Sequence, residues 1–318
     1  MSEPQITVLM PVHNGGKYLS MAIESVLVQT FREMELLVVD DGSTDETPDT
    51  LAAYAGRDGR IRVIRNEANL GLVASLNRGI AEIRTPLTAR MDADDISFSE
   101  RLEKQYRFLE AHPTVALVGT WAEIWENEKN TGKAHRHPAD AARIRFELLF
   151  GNPFVHSSVM MRTAMVREAG GYVAPRTVYP EDYDLWSRIS KKAGVANIPE
   201  MLTVYRESDR SICRGDDGGL LAEGVAEISA RNIQQCLREQ GETVLTEEVL
   251  LFVRSLNRVG RHRVAAGSGA PSFGRLTAAV RRCCERSLSS DLPLKWYMTR
   301  RALSLTVRAY RNYYLYRA

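Results

Sequence analysis

Ile6 to Met10 form an unbroken apolar run closed by the turn-forming segment Pro11-Val12-His13-Asn14-Gly15-Gly16, after which Leu19, Ala22, Ile23, Val26 and Leu27 recur at helical spacing. The alternation then repeats. Glu35 to Val39 reads as a second buried strand ending in Asp40-Asp41-Gly42-Ser43, and Ser43 with Glu46 has the spacing of a capping box for a helix through Leu51. Ile61 to Ile64 predicts a third strand, Asn66 to Gly71 a polar loop, and Leu72, Leu76, Ile80 and Ile83 a helical stripe. Pro86 breaks that helix before a fourth apolar run from Leu87, which stops at the carboxylates Asp92, Asp94 and Asp95.

Beyond Asp95 the pattern loosens. Ser99 has the position of a cap for a helix carrying Leu102, Tyr106 and Leu109, and Val115 to Val118 predicts a strand. Lys129 to Pro138 reads as a polar loop, Asp140 to Phe150 as helix and Phe154 to Met161 as strand. Gly170-Gly171 makes a turn before Pro180-Glu181-Asp182-Tyr183-Asp184-Leu185-Trp186, where Leu185, Trp186 and Ile189 suit a helix with acids in its first turn. Leu202 to Tyr205 predicts a last short strand. From about Asp216 only helical periodicity remains: Leu220 to Leu237, Glu247 to Val259, Phe273 to Leu288 and Leu292 to Leu315, with a Gly-rich linker at Ala265 to Pro271.

Strands alternating with helices predict an α/β chain with a mostly parallel sheet flanked by helices. Two regions are expected, a nucleotide-binding catalytic domain over 1–215 and a helical C-terminal region over 216–318. In open sheets of this kind ligands bind outside the carboxyl ends of the strands. Asn14, Asp41 and Asp94 each follow a strand, so the topology gathers them at one rim. Crowded carboxylates repel one another and become tolerable around a divalent cation, which takes oxygen ligands. A solvated turn or a helix cap is the plainer reading of an isolated Asp-x-Asp, and the convergence at one rim favours the metal.

Composition narrows the class. No apolar run approaches the length of about 18 residues that a spanning helix needs, and the chain passes directly into Ile6 without a basic-then-apolar signal, so a cytoplasmic protein is expected. Cys213, Cys236, Cys283 and Cys284 have neither zinc-ligand spacing nor a disulfide pattern. From Arg254 onward there are 14 Lys and Arg against 2 Asp and Glu, a net +12 in a chain of net +2, which leaves −10 for the first 253 residues.

Six motifs in order, V-L-M-P-V-H-N, V-V-D-D-G-S-T-D, N-L-G-L-V-A-S-L-N-R-G, M-D-A-D-D, G-G-Y and P-E-D-Y-D-L-W, make the first 210 or so residues resemble a family 2 glycosyltransferase of the GT-A fold. The resemblance is to bacterial enzymes of polysaccharide biosynthesis. It implies a Rossmann-like sheet whose rim binds a nucleotide sugar, with Pro11 and Val12 bordering the base, Asn14 among the nucleotide-binding residues and Asp41 accepting from the ring edge. Asn69 and Asn77 would shape the nucleotide side, Asp92 would lie near ribose and metal, and Asp94 would be the principal ligand of Mn²⁺ or Mg²⁺. Glu181-Asp182 matches the acidic motif of inverting members, with Asp182 as catalytic base and Asp184 as second choice. His156 in F-V-H-S-S lines the pocket or is a satisfied buried histidine. Trp186 packs a sugar face or the core.

One departure stands out. Many relatives follow the last strand with Y-R-x-H, whereas Tyr205-Arg206-Glu207 is followed here by Ser208. Arg206 then becomes a phosphate ligand by implication, with Asp209 as a substitute metal ligand. The implied partners are a nucleoside-diphosphate sugar, UDP-linked in the first instance, and a saccharide or lipid-linked acceptor. In the last helix Arg300, Arg301, Arg308 and Arg311 share a sector beside a stripe of Trp296, Leu303, Val307, Tyr310 and Tyr314. That pattern suits the anionic inner face of the cytoplasmic membrane, or packing on protein, and no nucleic-acid fold accompanies the charge. The rival readings are a non-catalytic GT-A scaffold at the membrane, which has no need of acids at the rim, and a sugar nucleotidyltransferase, whose Gly-rich basic loop is absent at His13 to Lys17.

Overall fold

The computed structural model describes residues 3–126, 128–173, 180–207, 220–239, 241, 246–257, 273–286 and 292–315. Ser208, Asp209, Cys213 and the linker from Ala265 to Pro271 lie outside the described residues, as do the side chains of Cys283, Cys284, Trp296, Tyr310, Arg311 and Tyr314. The chain divides into two compact units: Met1–Ala141, Pro153–Ala174 and Asp184–Ser211 form the first, and Ala142–Asn152, Pro175–Tyr183 and Ile212–Ala318 the second.

The first half of the first unit follows the expected alternation: β1 (Ile6–Val12), α1 (Leu19–Leu27), β2 (Met34–Asp40), α2 (Thr47–Arg57), β3 (Ile61–Arg65), α3 (Leu72–Glu82) and β4 (Leu87–Arg90). Then come β5 (Ile96–Ser97), α4 (Arg101–Ala111), β6 (Val115–Glu126), β7 (Lys129–His135), α5 (Ala141–Glu147), β8 (Met160–Arg162), α6 (Thr163–Glu168), α7 (Glu181–Ser190) and β9 (Gly194–Glu207). The sheet order is β3-β2-β1-β4-β8-β6-β9-β5, with β7 on β6. β1 to β4 pair in parallel, β8 runs antiparallel to β4 and β6, and β6 with β9 is again parallel. The chain winds outward from β1 through β2 to β3, then returns to place β4 on the other side of β1. That reversal opens a crevice beyond the carboxyl ends of β1 and β4, where ligands of open α/β sheets bind.

β1 and β2 are covered on both sides, which is why they read as solid apolar runs. Ile6, Val8, Met10, Leu36 and Val38 are buried with Ile23 and Val26 of α1 in one core. Burying a side chain of this size contributes about 1.5–3 kcal/mol.

Several local expectations fail for identifiable reasons. α2 starts at Thr47 with no side-chain cap, because Ser43 Oγ instead accepts the Asn14 N–H at 2.9 Å and so joins two rim loops. α4 starts at Arg101 after Glu100, and Ser99 supplies only a backbone carbonyl to Thr30. The polar segment from Lys129 is the strand β7, an edge hairpin partner of β6, since tertiary pairing overrides weak strand propensity. Phe154 to Met161 is mainly a turn, with a 3₁₀ stretch at His156–Ser158 before the short β8. The strands expected at Val115 to Val118 and Leu202 to Tyr205 extend to 12 and 14 residues because they pair with each other.

The second unit is helical: α8 (Leu220–Glu239), α9 (Thr246–Asn257), α10 (Phe273–Arg286) and α11 (Leu292–Leu315). α5 belongs to this unit, and its Phe146 shares an apolar core with Ile233, Phe252, Phe273, Met298 and Leu305.

Candidate active site

β4 ends at Arg90, and Asp92, Asp94 and Asp95 follow at the crevice. One carboxylate oxygen from each lies within 4.8 Å of the others, a metal-sized cluster. The three acids are not equivalent. Asp95 is buried, accepting from Ser157 Oγ through one oxygen and from the Arg206 main-chain N–H at 2.7 Å through the other. Burial, with Asp92 and Asp94 beside it, pushes this carboxyl well up from its ordinary value. Asp92 is half-buried and pairs with the Arg90 guanidinium. Asp94 is half-buried, and burial followed by the Asp92 charge raises it to about 6.

Three arginines surround these three acids. Arg90 is 2% exposed and its Nε has no hydrogen-bond partner. Arg101 is fully buried and donates to the Arg90 carbonyl at 2.8 Å and to Gln105 Oε1 at 3.0 Å, with burial and the Arg90 charge bringing it down to about 9. Arg206 is 3% exposed, donates from Nε to the Asp94 carbonyl at 2.7 Å, and leaves Nη1 buried without a partner. Leaving a buried donor unpaired costs about 1–3 kcal/mol, more when it is charged, and two such atoms beside one acidic cluster are costly unless an acceptor joins them. An all-oxygen donor set of short, rigid carboxylates fits Mn²⁺ or Mg²⁺.

The loops after β1 and β2 form the other side of the crevice. Asn14 adopts φ 51° and its Oδ1 accepts the Thr44 N–H at 2.9 Å, while His13 Nδ1 meets the Asp41 carbonyl at 2.8 Å. Pro11 and Val12 are buried at the end of β1, where the Val12 carbonyl accepts the Asp41 N–H. Asp41 takes Asn66 Nδ2 at 2.6 Å, Leu70 N–H at 2.9 Å and Gly71 N–H at 2.8 Å. Burial alone would raise its pKa, but the donors from Asn66, Leu70, Ser75 and Gly71 together hold it below the ordinary value. The expected base acceptor is therefore first a loop anchor. Gly42 is required here: at φ +66° a Cβ would lie 2.5 Å from the Ala68 carbonyl carbon.

Asn69 is exposed in that loop and caps the Gly71 N–H at 3.0 Å. Asn77, expected on the nucleotide side, spends both ends of its amide on the Tyr172 backbone, at 2.7 and 2.9 Å. It pins the Gly-Gly-Tyr turn, and a Cβ on Gly171 would meet Asn77 Oδ1 at 2.6 Å. His156 bonds Tyr172 OH at 2.9 Å and stands edge-on to Trp186. Burial and the Arg90 charge keep it well below its ordinary pKa, so it stays neutral at neutral pH. Trp186 is fully buried among Phe154, His156 and Tyr172, which makes it core rather than a sugar platform.

In α7, Asp184 is 2% exposed and ion-paired with Arg188 at 2.7 Å, and Arg188 also donates to the Ala169 and Gly171 carbonyls. That ties the alternative base to holding the turn. Glu181 and Asp182 open the helix within the second unit, and Asp182 Oδ2 accepts from Asn152 Nδ2 at 2.7 Å. Sequence reasoning missed Arg90, Arg101, Ser157, Asn66 and Asn152. Only Arg90, an ionic residue closing an apolar strand, carried a signal that could have found it.

A switch-point crevice with a carboxylate cluster after the fourth strand is the arrangement of the GT-A fold. The profile described as Glycosyl transferase family 2 matches residues 7–170, so the chain belongs to that family. A glycosyltransferase of Haemophilus influenzae described as uncharacterized is 33% identical over 211 residues, 64% of this chain and 65% of its own length, so the chain matches just under two thirds of that relative. The amylovoran biosynthesis glycosyltransferase AmsE of Erwinia amylovora is 36% identical over 203 residues, covering 63% and 75%. The fold is that of S. aureus TarS residues 1–349, crystallised with UDP-GlcNAc: TM-score 0.63 at 18% identity, over 98% of this chain and 90% of that one.

Proposed function

We propose that this family 2 glycosyltransferase moves a sugar from a nucleoside-diphosphate donor, UDP-linked in the first instance, to a hydroxyl of a saccharide or lipid-linked acceptor in cell-surface polysaccharide biosynthesis, with inversion. The observation that carries this reading is the cluster of Asp92, Asp94 and Asp95 at the switch point, set among Arg90, Arg101 and Arg206. AmsE bears a polysaccharide-biosynthesis name and TarS was crystallised with UDP-GlcNAc, which supports the substrate class.

Asp94 and Asp92 would hold Mn²⁺ or Mg²⁺, which when bound supplies Lewis-acid stabilisation to the leaving diphosphate. Asp95, which accepts from Ser157 and from the Arg206 main chain, organises the cluster. Arg206 offers Nη1 to a diphosphate oxygen. Asp41 and the loop it orders receive the base. Asp182 takes the proton from the acceptor hydroxyl as that oxygen attacks the anomeric carbon from the face opposite the diphosphate. Asn152 donates to the Asp182 carboxylate and steadies its ionised form. Asp184 is structural.

The family and the intact cluster argue against a decayed scaffold. Peripheral attachment is proposed through the outer face of α11, where Leu303 and Val307 are 64% and 59% exposed beside exposed Arg300 and Arg308. No described helix is long and apolar enough to cross a membrane.

The deciding experiment is calorimetric binding of UDP, dTDP and GDP, with and without Mn²⁺, to wild type and Asp94→Asn. Metal-dependent binding of one nucleotide that Asp94→Asn loses supports the reading, and binding of none under either condition sinks it.

A further inference from the structure

Arg206 is oriented by more than its strand. Its Nε bonds the Asp94 carbonyl, its Nη2 meets Met21 Sδ at 3.4 Å, and its guanidinium carbon lies 4.2 Å from the centroid of the Tyr18 ring. Nη1 alone is buried with no partner. The nearby carboxylates of Asp92 and Asp95 are engaged by Arg90, Ser157 and the Arg206 main chain. Tyr18 ends the 3₁₀ turn Gly16–Tyr18 that follows the β1 loop, so the ring reaches Arg206 from the β1 side of the crevice. The same corner is closed by an exposed ion pair between Lys17 and Glu128 at 2.7 Å, and Lys17 Nζ also lies 4.7 Å from the Tyr18 ring centroid. Exposed pairs of this kind contribute little to stability.

We propose that Tyr18 is a positioning residue whose ring holds the Arg206 guanidinium so that Nη1 meets the donor's diphosphate. A planar guanidinium stacks on an aromatic face and keeps its fork in a fixed direction, which an ammonium cannot reproduce. The assignment rests on the nucleoside-diphosphate reading of this site and adds to it a residue with no direct contact to the reacting atoms.

The test compares uridine with UDP, and guanosine with GDP, by competition calorimetry in Mn²⁺ on the full chain, in wild type, Tyr18→Phe, Tyr18→Leu, Tyr18→Met and Arg206→Lys. The quantity read is the ratio of diphosphate to nucleoside affinity. Tyr18→Phe is expected to keep it. Tyr18→Leu should lower it about fivefold with nucleoside affinity unchanged, the size of a cation–π contact. Arg206→Lys should lower it at least as far, and Tyr18→Met, which also removes the ring but fills more of its space, tests the contact even if Tyr18→Leu fails to fold. An unchanged ratio in Tyr18→Leu or Arg206→Lys overturns the proposal, as does a parallel fall in nucleoside and diphosphate affinity, which marks a purely structural role. Wild type that binds none of the four overturns the donor reading together with this one, whereas tight wild-type binding with an unchanged ratio overturns only the role of Tyr18.

Discussion

The rim after β4 and the helical unit around α11 both bury charge, and they do it differently. At the rim three acids and three arginines are packed together, yet Arg90 Nε and Arg206 Nη1 are left without partners and Asp94 is raised to about 6. In the helical unit one largely buried acid is saturated: Glu147 accepts from Arg301 at 2.8 and 2.9 Å and from Tyr297 OH at 2.6 Å. Burial and the Glu147 bond push the Tyr297 hydroxyl well above its ordinary value. A satisfied network rigidifies a fold, whereas an unsatisfied one keeps capacity for a ligand. The contrast is between unsatisfied donors at the rim and a saturated carboxylate at Glu147.

The sharpest way to break this contrast is at the metal-side acid. Asp94→Asn should cut transfer by about 10³-fold, since a lost metal contact removes several kcal/mol of transition-state stabilisation, while urea unfolding is no worse than wild type because the substitution removes a repelled carboxylate. Next in size is the base. Asp182→Asn should lower kcat by about 10²–10⁴-fold with metal-dependent nucleotide binding intact, and joint loss of binding would remove Asp182 from that role.

The helical unit should respond in the opposite sense. Glu147→Ala leaves Arg301 and Tyr297 without their acceptor and should destabilise the chain by about 1–3 kcal/mol, seen as a lower urea midpoint, with nucleotide affinity unchanged.

A pH series sharpens the comparison further. Asp94 has a folded value of about 6 against an ordinary 3.8, so the folded state holds its proton more tightly than the unfolded one. In EDTA, stability should therefore fall as pH rises from about 4 to about 6. Proton and metal compete for this carboxylate, so Mn²⁺ should raise the melting temperature more at pH 7 than at pH 5, and an equal rise at both would count against Asp94 as ligand. The smallest effect on stability belongs to the outer face of α11. Leu303→Glu with Val307→Glu should leave the urea midpoint within about 0.5 kcal/mol of wild type and abolish co-sedimentation with anionic liposomes, if that face is the membrane contact.

The apolar stripe of α11 illustrates how far pattern alone reaches. Periodicity gave the helix its bounds, Leu292 to Leu315, but the buried stripe is Met298, Ala302, Leu305 and Ala309, not the Leu303 and Val307 line, and Arg301 turns inward to Glu147. A helix with apolar residues on two faces does not announce which one packs, because the choice depends on what faces it. For the same reason Lys129 to His135 reads as a loop and forms β7: its strand character comes from β6 alongside, not from its own residues.

By itself the sequence determined the elements through β4, the parallel order they imply, and the acids Asp41, Asp92, Asp94 and Asp182 as points of chemistry. These rest on local periodicity and on residues whose charge has few uses at a strand end. Tertiary structure alone decided that Asp95 is buried under Ser157 and Arg206 while Asp94 is not, that Asn77 and Asp184 anchor turns, and that Arg90, Arg101 and Arg206 stand around the cluster. Several of those roles are set by distant partners, Arg101 with the Arg90 carbonyl 11 residues away and Arg206 with the Asp94 carbonyl 112 away, which the sequence does not display as neighbours.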